Sequence, residues 1–203
     1  MRLGVLGGTF NPIHNGHLAM ADAVRRAHGL DRVLLVPSAR PPHKTFTLLA
    51  SPEDRLEMVR LAVKFHEGLE ACAIEVERPG TSFTVDTLEE LWRQHPGDEI
   101  FFIIGADSVP ELSGWRNVPR ILELARVVVV NRPGHTAKFR AEDFPGISPE
   151  TLARLEADRV TMPACLQESR RIRESIRRGE SIAGDVPAAV ASYLKLQGFY
   201  TSC

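Results

Sequence analysis

The sequence predicts a doubly wound α/β fold built on a parallel sheet, and three observations carry that expectation. Short, continuous apolar runs at residues 3–6, 33–36, 71–76, 100–104 and 127–130 have the form of strands buried on both faces. The stretches between them have apolar positions at helical spacing, as crossover helices require. The segments rich in Gly, His, Ser and Asp each follow a strand, the end at which open parallel sheets bind ligands.

The first run leads into Gly7-Gly8-Thr9-Phe10-Asn11-Pro12-Ile13-His14-Asn15-Gly16-His17 and then a helix over 16–28. Gly7 and Gly8 lack a Cβ, so the backbone is expected to turn sharply there and bring its N–H groups close to an anion. The following helix points its positive end at the same place. His14 and His17 are three apart and project from one face toward that turn, where both can donate to one phosphate group. Glycine pairs after strands also serve plain close packing, and a histidine at a helix start is often a cap.

The second strand runs into Pro37-Ser38-Ala39-Arg40-Pro41-Pro42-His43-Lys44, whose prolines hold the chain extended and limit where Lys44 can reach. A helix over 52–65 follows, with Ser51 as cap, Pro52 at the first position and Glu53 and Asp54 in the first turn. The stretch Thr81-Ser82-Phe83-Thr84 leaves the third strand and enters a helix over 85–94, with Ser82 or Thr84 as candidate caps. The fourth strand ends in Gly105-Ala106-Asp107-Ser108, which sets Asp107 at the sheet edge, either to accept from ribose hydroxyls or to cap a helix. A helix over 118–124 precedes the fifth strand. Beyond residue 130 the pattern loosens into a loop, with a short helix over 149–156, a brief strand over 160–162, and helices over 168–178 and 186–196 that stop at Gly179 and Gly198.

The chain has 203 residues, 43% apolar and 25% charged, which suits one globular domain with 163–203 as a helical subregion. A formal charge of −1 supplies no basic field of the kind that drives nucleic-acid binding, so an anionic ligand must be held by local geometry. Cys72, Cys165 and Cys203 are isolated, without zinc or redox spacing. Residues 1–6 read as a core strand, not a leader peptide, and no apolar run approaches the roughly 20 residues of a membrane span. A cytoplasmic protein is the expectation.

The full string from Gly7 to His17 resembles the HxGH nucleotidyltransferase superfamily, and specifically the bacterial nicotinate-nucleotide adenylyltransferases. The Pro41-Pro42-His43-Lys44 string, Arg55 with Met58, the Ser82–Leu88 stretch, Gly105-Ala106-Asp107-Ser108 and the closing Gln197-Gly198-Phe199-Tyr200 are similar to the same family. The resemblance implies a Rossmann-like nucleotidyltransferase fold that joins ATP to nicotinate mononucleotide, with deamido-NAD and pyrophosphate as products. It implies His14, His17, Lys44 and Arg173 as catalytic residues. ATP would lie on Gly7, Gly8, Thr9, Phe10, His14, His17, Gly105, Asp107 and Arg173. The mononucleotide would lie on Lys44, Ser82, Phe83, Thr84, Trp115 and Arg132, with Trp115 as an aromatic wall. Magnesium would arrive with ATP and need no dedicated protein ligands. A homo-oligomer is left open.

The chain departs from the family at the start of the penultimate helix, where hydroxyl residues are usual. Counting back from Gly179 puts the family arginine at Arg173, but Glu168 and Arg170 occupy the hydroxyl positions and only Ser169 is nearby. Three readings follow: the arginines have taken over the phosphates, the helix start has shifted by a residue, or catalysis is impaired. A sister adenylyltransferase acting on nicotinamide mononucleotide or phosphopantetheine, a non-catalytic nucleotide-binding domain, and a nucleic-acid-binding protein using the arginine-rich helix are the competing functions.

Overall fold

The computed structural model describes residues 1–41, 50–131, 139–163, 165 and 167–201. The strands are β1 (Arg2–Gly8), β2 (Arg32–Pro37), β3 (Leu69–Ala71), β4 (Glu99–Gly105), β5 (Arg126–Asn131) and β6 (Val160–Thr161). They form one parallel sheet in the order β3-β2-β1-β4-β5-β6. The chain therefore winds outward in one direction from β1 to β3 and in the other from β4 to β6, and the order reverses between β1 and β4. That reversal opens the crevice in which doubly wound sheets bind ligands.

The helices are α1 (Asn15–Ala27), α2 (Pro52–Val63), α3 (Thr84–Gln94), α4 (Val109–Leu112), α5 (Val118–Leu124), α6 (Pro149–Ala157), α7 (Ser169–Arg177) and α8 (Ala188–Gln197). They cover both faces of the sheet, and the strands feed a core on each side. Phe101, Ile103, Val128 and Val130 pack with Val24 of α1, Val59 of α2, Ile172 of α7 and Val190 of α8. Phe102, Ile104, Val127 and Val129 pack with Leu88 of α3, Leu112 of α4, Ile121 of α5 and Leu155 of α6. Successive strand residues thus bury on opposite faces, which is why the runs are apolar throughout. Gly4 is small because a Cβ there would come 2.7 Å from Val33 Cγ2.

Helix ends follow the sequence signals closely. Ser51 accepts from the Asp54 N–H with Pro52 at the first helical position, Ser148 accepts from the Thr151 N–H ahead of Pro149, and α8 ends at Gly198 with φ 65°.

Two expectations are corrected. The third strand spans Leu69–Ala71 and not 71–76: after the Cys72 N–H donates to Leu35 O at 3.0 Å, the chain leaves the sheet and turns, with the Glu77 N–H donating to Ala73 O. The apolar count misread this stretch because Cys72 and Ile74 pack against the core from a loop. The turn after β1 also lies later than expected. β1 continues through Gly8, and the backbone reverses around Phe10, which has φ 46°, and Pro12. Gly8 is needed for space, since a Cβ would sit 3.0 Å from the Phe10 ring.

Candidate active site

A cavity of about 340 Å³ opens at the carboxyl ends of β1 and β4, where the strand order reverses. One end is walled by Gly7, Gly8, Thr9 and His17, with Gly105 and Asp107 alongside. The other end is formed by Ser82, Thr84 and Trp115.

His14 is the N-cap residue of α1 and is buried, and its backbone N–H donates to His17 Nδ1 at 3.3 Å. The two imidazoles stack with centroids 3.6 Å apart, and Phe10 meets the His17 ring edge-on at 5.0 Å. Because Nδ1 of His17 accepts, a neutral His17 carries its proton on Nε2, which makes that nitrogen the donor. His17 lines the cavity, whereas His14 and Phe10 lie behind it as its support. Gly16 admits this packing, since a Cβ there would come 3.0 Å from the His14 ring.

Asp107 is exposed, in a one-turn 3-10 helix (Ala106–Ser108) whose cap position is held by Gly105, so it is not a cap. A Cβ at Gly105 would come 2.2 Å from Asp107 Oδ1, so the glycine gives this carboxylate its place.

Ser82, Phe83, Thr84 and Trp115 are ordered by contacts the sequence did not reveal. Ser82 does not cap α3. Its hydroxyl accepts from the N–H groups of Ala39 at 3.0 Å and Arg40 at 3.2 Å, while its own N–H donates to Arg40 O. Phe83 occupies the cap position of α3, covered by the Arg116 guanidinium at 4.8 Å, and Thr84 begins the helix. Trp115 packs against Phe102 at 6.0 Å and is partly exposed to the cavity, so it serves both core and wall.

Behind these residues lie Arg55 and Glu75. Arg55 is 1% exposed and donates to four backbone carbonyls: Ala50 at 3.1 Å, Thr9 at 2.9 Å, Ser38 at 2.5 Å and Ala39 at 3.1 Å. Burial lowers its pKa, and the carbonyl dipoles compensate the charge. Glu75 lines the cavity at 8% exposure and accepts from the Thr87 hydroxyl at 2.7 Å. Burial raises its pKa, against the Thr87 and Ser82 hydroxyls and the Arg78 and Arg55 charges.

Arg173 stands outside the cavity lining, on α7. Its Nη1 donates to Asn11 O at 2.7 Å, and Ser169 donates to Pro12 O at 2.9 Å, so α7 is fastened to the turn after β1. Ser169, the one hydroxyl near the positions where the family usually has them, is therefore engaged with the backbone. Arg170 pairs with Glu174 at 2.9 Å and Arg171 with Glu168 at 3.5 Å, both on the surface, where such pairs are weak enough to rearrange. Lys44 and Arg132 lie outside the described residues.

The cytidylyltransferase-like family matches residues 5–174. The chain is 43% identical to the protein named "probable nicotinate-nucleotide adenylyltransferase" of Citrifermentans bemidjiense, over 98% of each chain. It is 42% identical to the protein of the same name from Roseiflexus, over 98% of this chain and 97% of that one. Among solved structures, the Plasmodium falciparum nicotinic acid mononucleotide adenylyltransferase complexed with NaAD superimposes with a TM-score of 0.75 at 14% identity, covering 98% of this chain and 97% of that one. With the fold, the sheet-edge cavity and near-complete coverage at this level of identity in agreement, the chain belongs to the cytidylyltransferase-like family and, within it, to the nicotinate-nucleotide adenylyltransferases.

Proposed function

We propose that the protein transfers the adenylyl group of ATP to the 5′-phosphate of nicotinate mononucleotide, forming deamido-NAD and pyrophosphate. The observation that carries this reading is the cavity at the β1/β4 reversal, with His17 at one end and Ser82, Thr84 and Trp115 at the other. It brings an anion-binding end and an aromatic-walled end into one crevice, as joining two nucleotides requires.

The mononucleotide phosphate is already an anion, so an oxygen of it attacks the α-phosphorus in line without a general base, and the bond to the departing pyrophosphate breaks. Catalysis then rests on alignment and on neutralising charge as it builds. His17 donates from Nε2 to the phosphates, backed by His14, while Arg173 and Lys44 add positive charge. Gly7, Gly8, Thr9 and Phe10 shape the ATP phosphate turn, and Gly105 and Asp107 face its ribose. Ser82, Phe83, Thr84 and Trp115 take the pyridine end, with Lys44 and Arg132 assigned to the same mononucleotide. The donors along the cavity, imidazole, hydroxyl and the exposed Asp107 carboxylate, suit a magnesium ion held by the ATP phosphates and water. Such an ion, when bound, would supply charge neutralisation on the phosphates.

Pyrophosphate release measured with each mononucleotide tests the assignment. Release with nicotinate mononucleotide, and at least tenfold less kcat/KM with nicotinamide mononucleotide, is expected, a discrimination of about 1.4 kcal/mol. Comparable rates would move the assignment to a sister activity, and ATP binding without pyrophosphate release would make this a nucleotide-binding protein.

A further inference from the structure

We infer that Glu75 is a positioning residue for the acceptor substrate, setting the start of α3 through its hydrogen bond to Thr87. This rests on the reading of Ser82, Thr84 and Trp115 as the acceptor end of the cavity. Glu75 belongs to none of the strings that placed the chain in its family, and it comes to the site only because the chain leaves the sheet after Ala71 and turns it inward.

The geometry is that of a brace. Oε1 of Glu75 accepts from the Thr87 hydroxyl at 2.7 Å, and the same Thr87 oxygen accepts from Arg78 Nη2 at 2.9 Å. A hydroxyl has one proton, and the shorter contact to Glu75 takes it over the 3.3 Å approach to Phe83 O. Thr87 is thereby held from both sides, one turn beyond Phe83 and Thr84. Oε2 of Glu75 is buried and makes no hydrogen bond with the described residues. The short, well-placed hydrogen bond of this carboxyl is the one from Thr87, and we take it to act through that contact. Ser82, fixed to Ala39 and Arg40 at one end, and Thr87, fixed to Glu75 at the other, bracket the residues that meet the acceptor.

The test is steady-state kinetics with both substrates varied. In Glu75→Ala the KM for nicotinate mononucleotide is expected to rise about tenfold, with the KM for ATP and kcat within twofold, the pattern of lost uniform binding at one half-site. Thr87→Val should reproduce that pattern. Glu75→Gln should restore the acceptor KM to within about threefold, because its amide oxygen still accepts from Thr87. A merely structural role predicts instead a lower active fraction with neither KM moved. An unmoved acceptor KM, an equal rise in both KM values, or a Gln variant as impaired as the Ala variant each overturns the inference. Should Glu75→Ala fail to fold, Thr87→Val compared with Glu75→Gln decides the same question. Wild-type protein that releases no pyrophosphate with nicotinate mononucleotide would instead overturn the proposed function, so the two failures are distinct.

Discussion

His17 occupies the third position of α1, partly exposed to the cavity and stacked on a buried His14. Its orientation is over-determined, by the His14 N–H on Nδ1, by the His14 ring at its face and by Phe10 at its edge. A donor held this way loses little entropy when phosphate charge develops against it. His17→Ala is expected to lower kcat by about 10²–10³, the usual cost of one lost donor to developing charge. The melting temperature should hold to within a few degrees, because the removed ring borders a cavity. Turnover within a few-fold of wild type would remove His17 from the proposed machinery. The spacing brought the two rings together, but not as two donors on one helix face: His14 is the N-cap, buried behind the cavity, and only His17 lines it. Glu75 was not legible in the sequence, because a glutamate inside a run of apolar residues looks like the outward position of a strand. Only the tertiary turn after Ala71 brings it under Thr87.

At the level of elements, α2 carries the piece that joins the two ends of the site. Arg55 reaches from its first turn to the carbonyls of Thr9, in the turn after β1, and of Ser38 and Ala39, at the exit of β2. One guanidinium thus fixes the spacing between segments from different strands. Arg55→Met keeps the apolar stem and removes the donors, leaving buried carbonyls unmatched at about 1–3 kcal/mol each. A loss of about 3 kcal/mol or more is therefore expected, read as a lower urea midpoint with unchanged slope, together with faster hydrogen exchange at Ala39 and Arg40. A stability within about 1 kcal/mol of wild type would show that water replaces the guanidinium at those carbonyls. The sequence located α2 well, through Ser51, Pro52 and the first-turn acids, because capping is local chemistry. It left Arg55 undecided, because an arginine on an amphipathic helix looks the same whether it faces solvent or four carbonyls. The same limit applies to α7. Its extent was legible from Gly179, but the tie from Ser169 to Pro12 joins residues 157 apart in the sequence and leaves no local trace.

Across the whole molecule, the last helices complete the face of the sheet that α1 begins. Ile172, Val186, Val190 and Leu194 share one core with Val24 and Leu35, so residues beyond 163 pack as part of the sheet's own cover. The closing contact is polar. Asn11 Oδ1 accepts from the Tyr200 hydroxyl at 2.6 Å and from the Ala50 N–H at 3.0 Å, and Asn11 O accepts from Arg173. Burial raises the Tyr200 pKa against the pull of Arg173 and Arg55, which keeps the phenol protonated and donating. The turn after β1 is thus held from the far end of the chain, by α7 through Arg173 and by the segment after α8 through Tyr200. Tyr200→Phe removes one donor but leaves Asn11 Oδ1 bonded to Ala50, so the loss is that of a hydrogen bond without an orphaned group, about 0.5–1.5 kcal/mol. For a chain of this size that lowers Tm by roughly 2–4 °C per kcal/mol. Asn11→Ala takes the acceptor from both donors and leaves the Ala50 N–H buried and unmatched, so its Tm should fall further, by the additional cost of about 1–3 kcal/mol. In each variant a single cooperative transition should persist, because the C-terminal helices share their core with the sheet. If Tyr200→Phe melts in two steps, or Asn11→Ala costs no more than Tyr200→Phe, then the turn is held by β1 and α1 alone and the C-terminal segment merely rests on it.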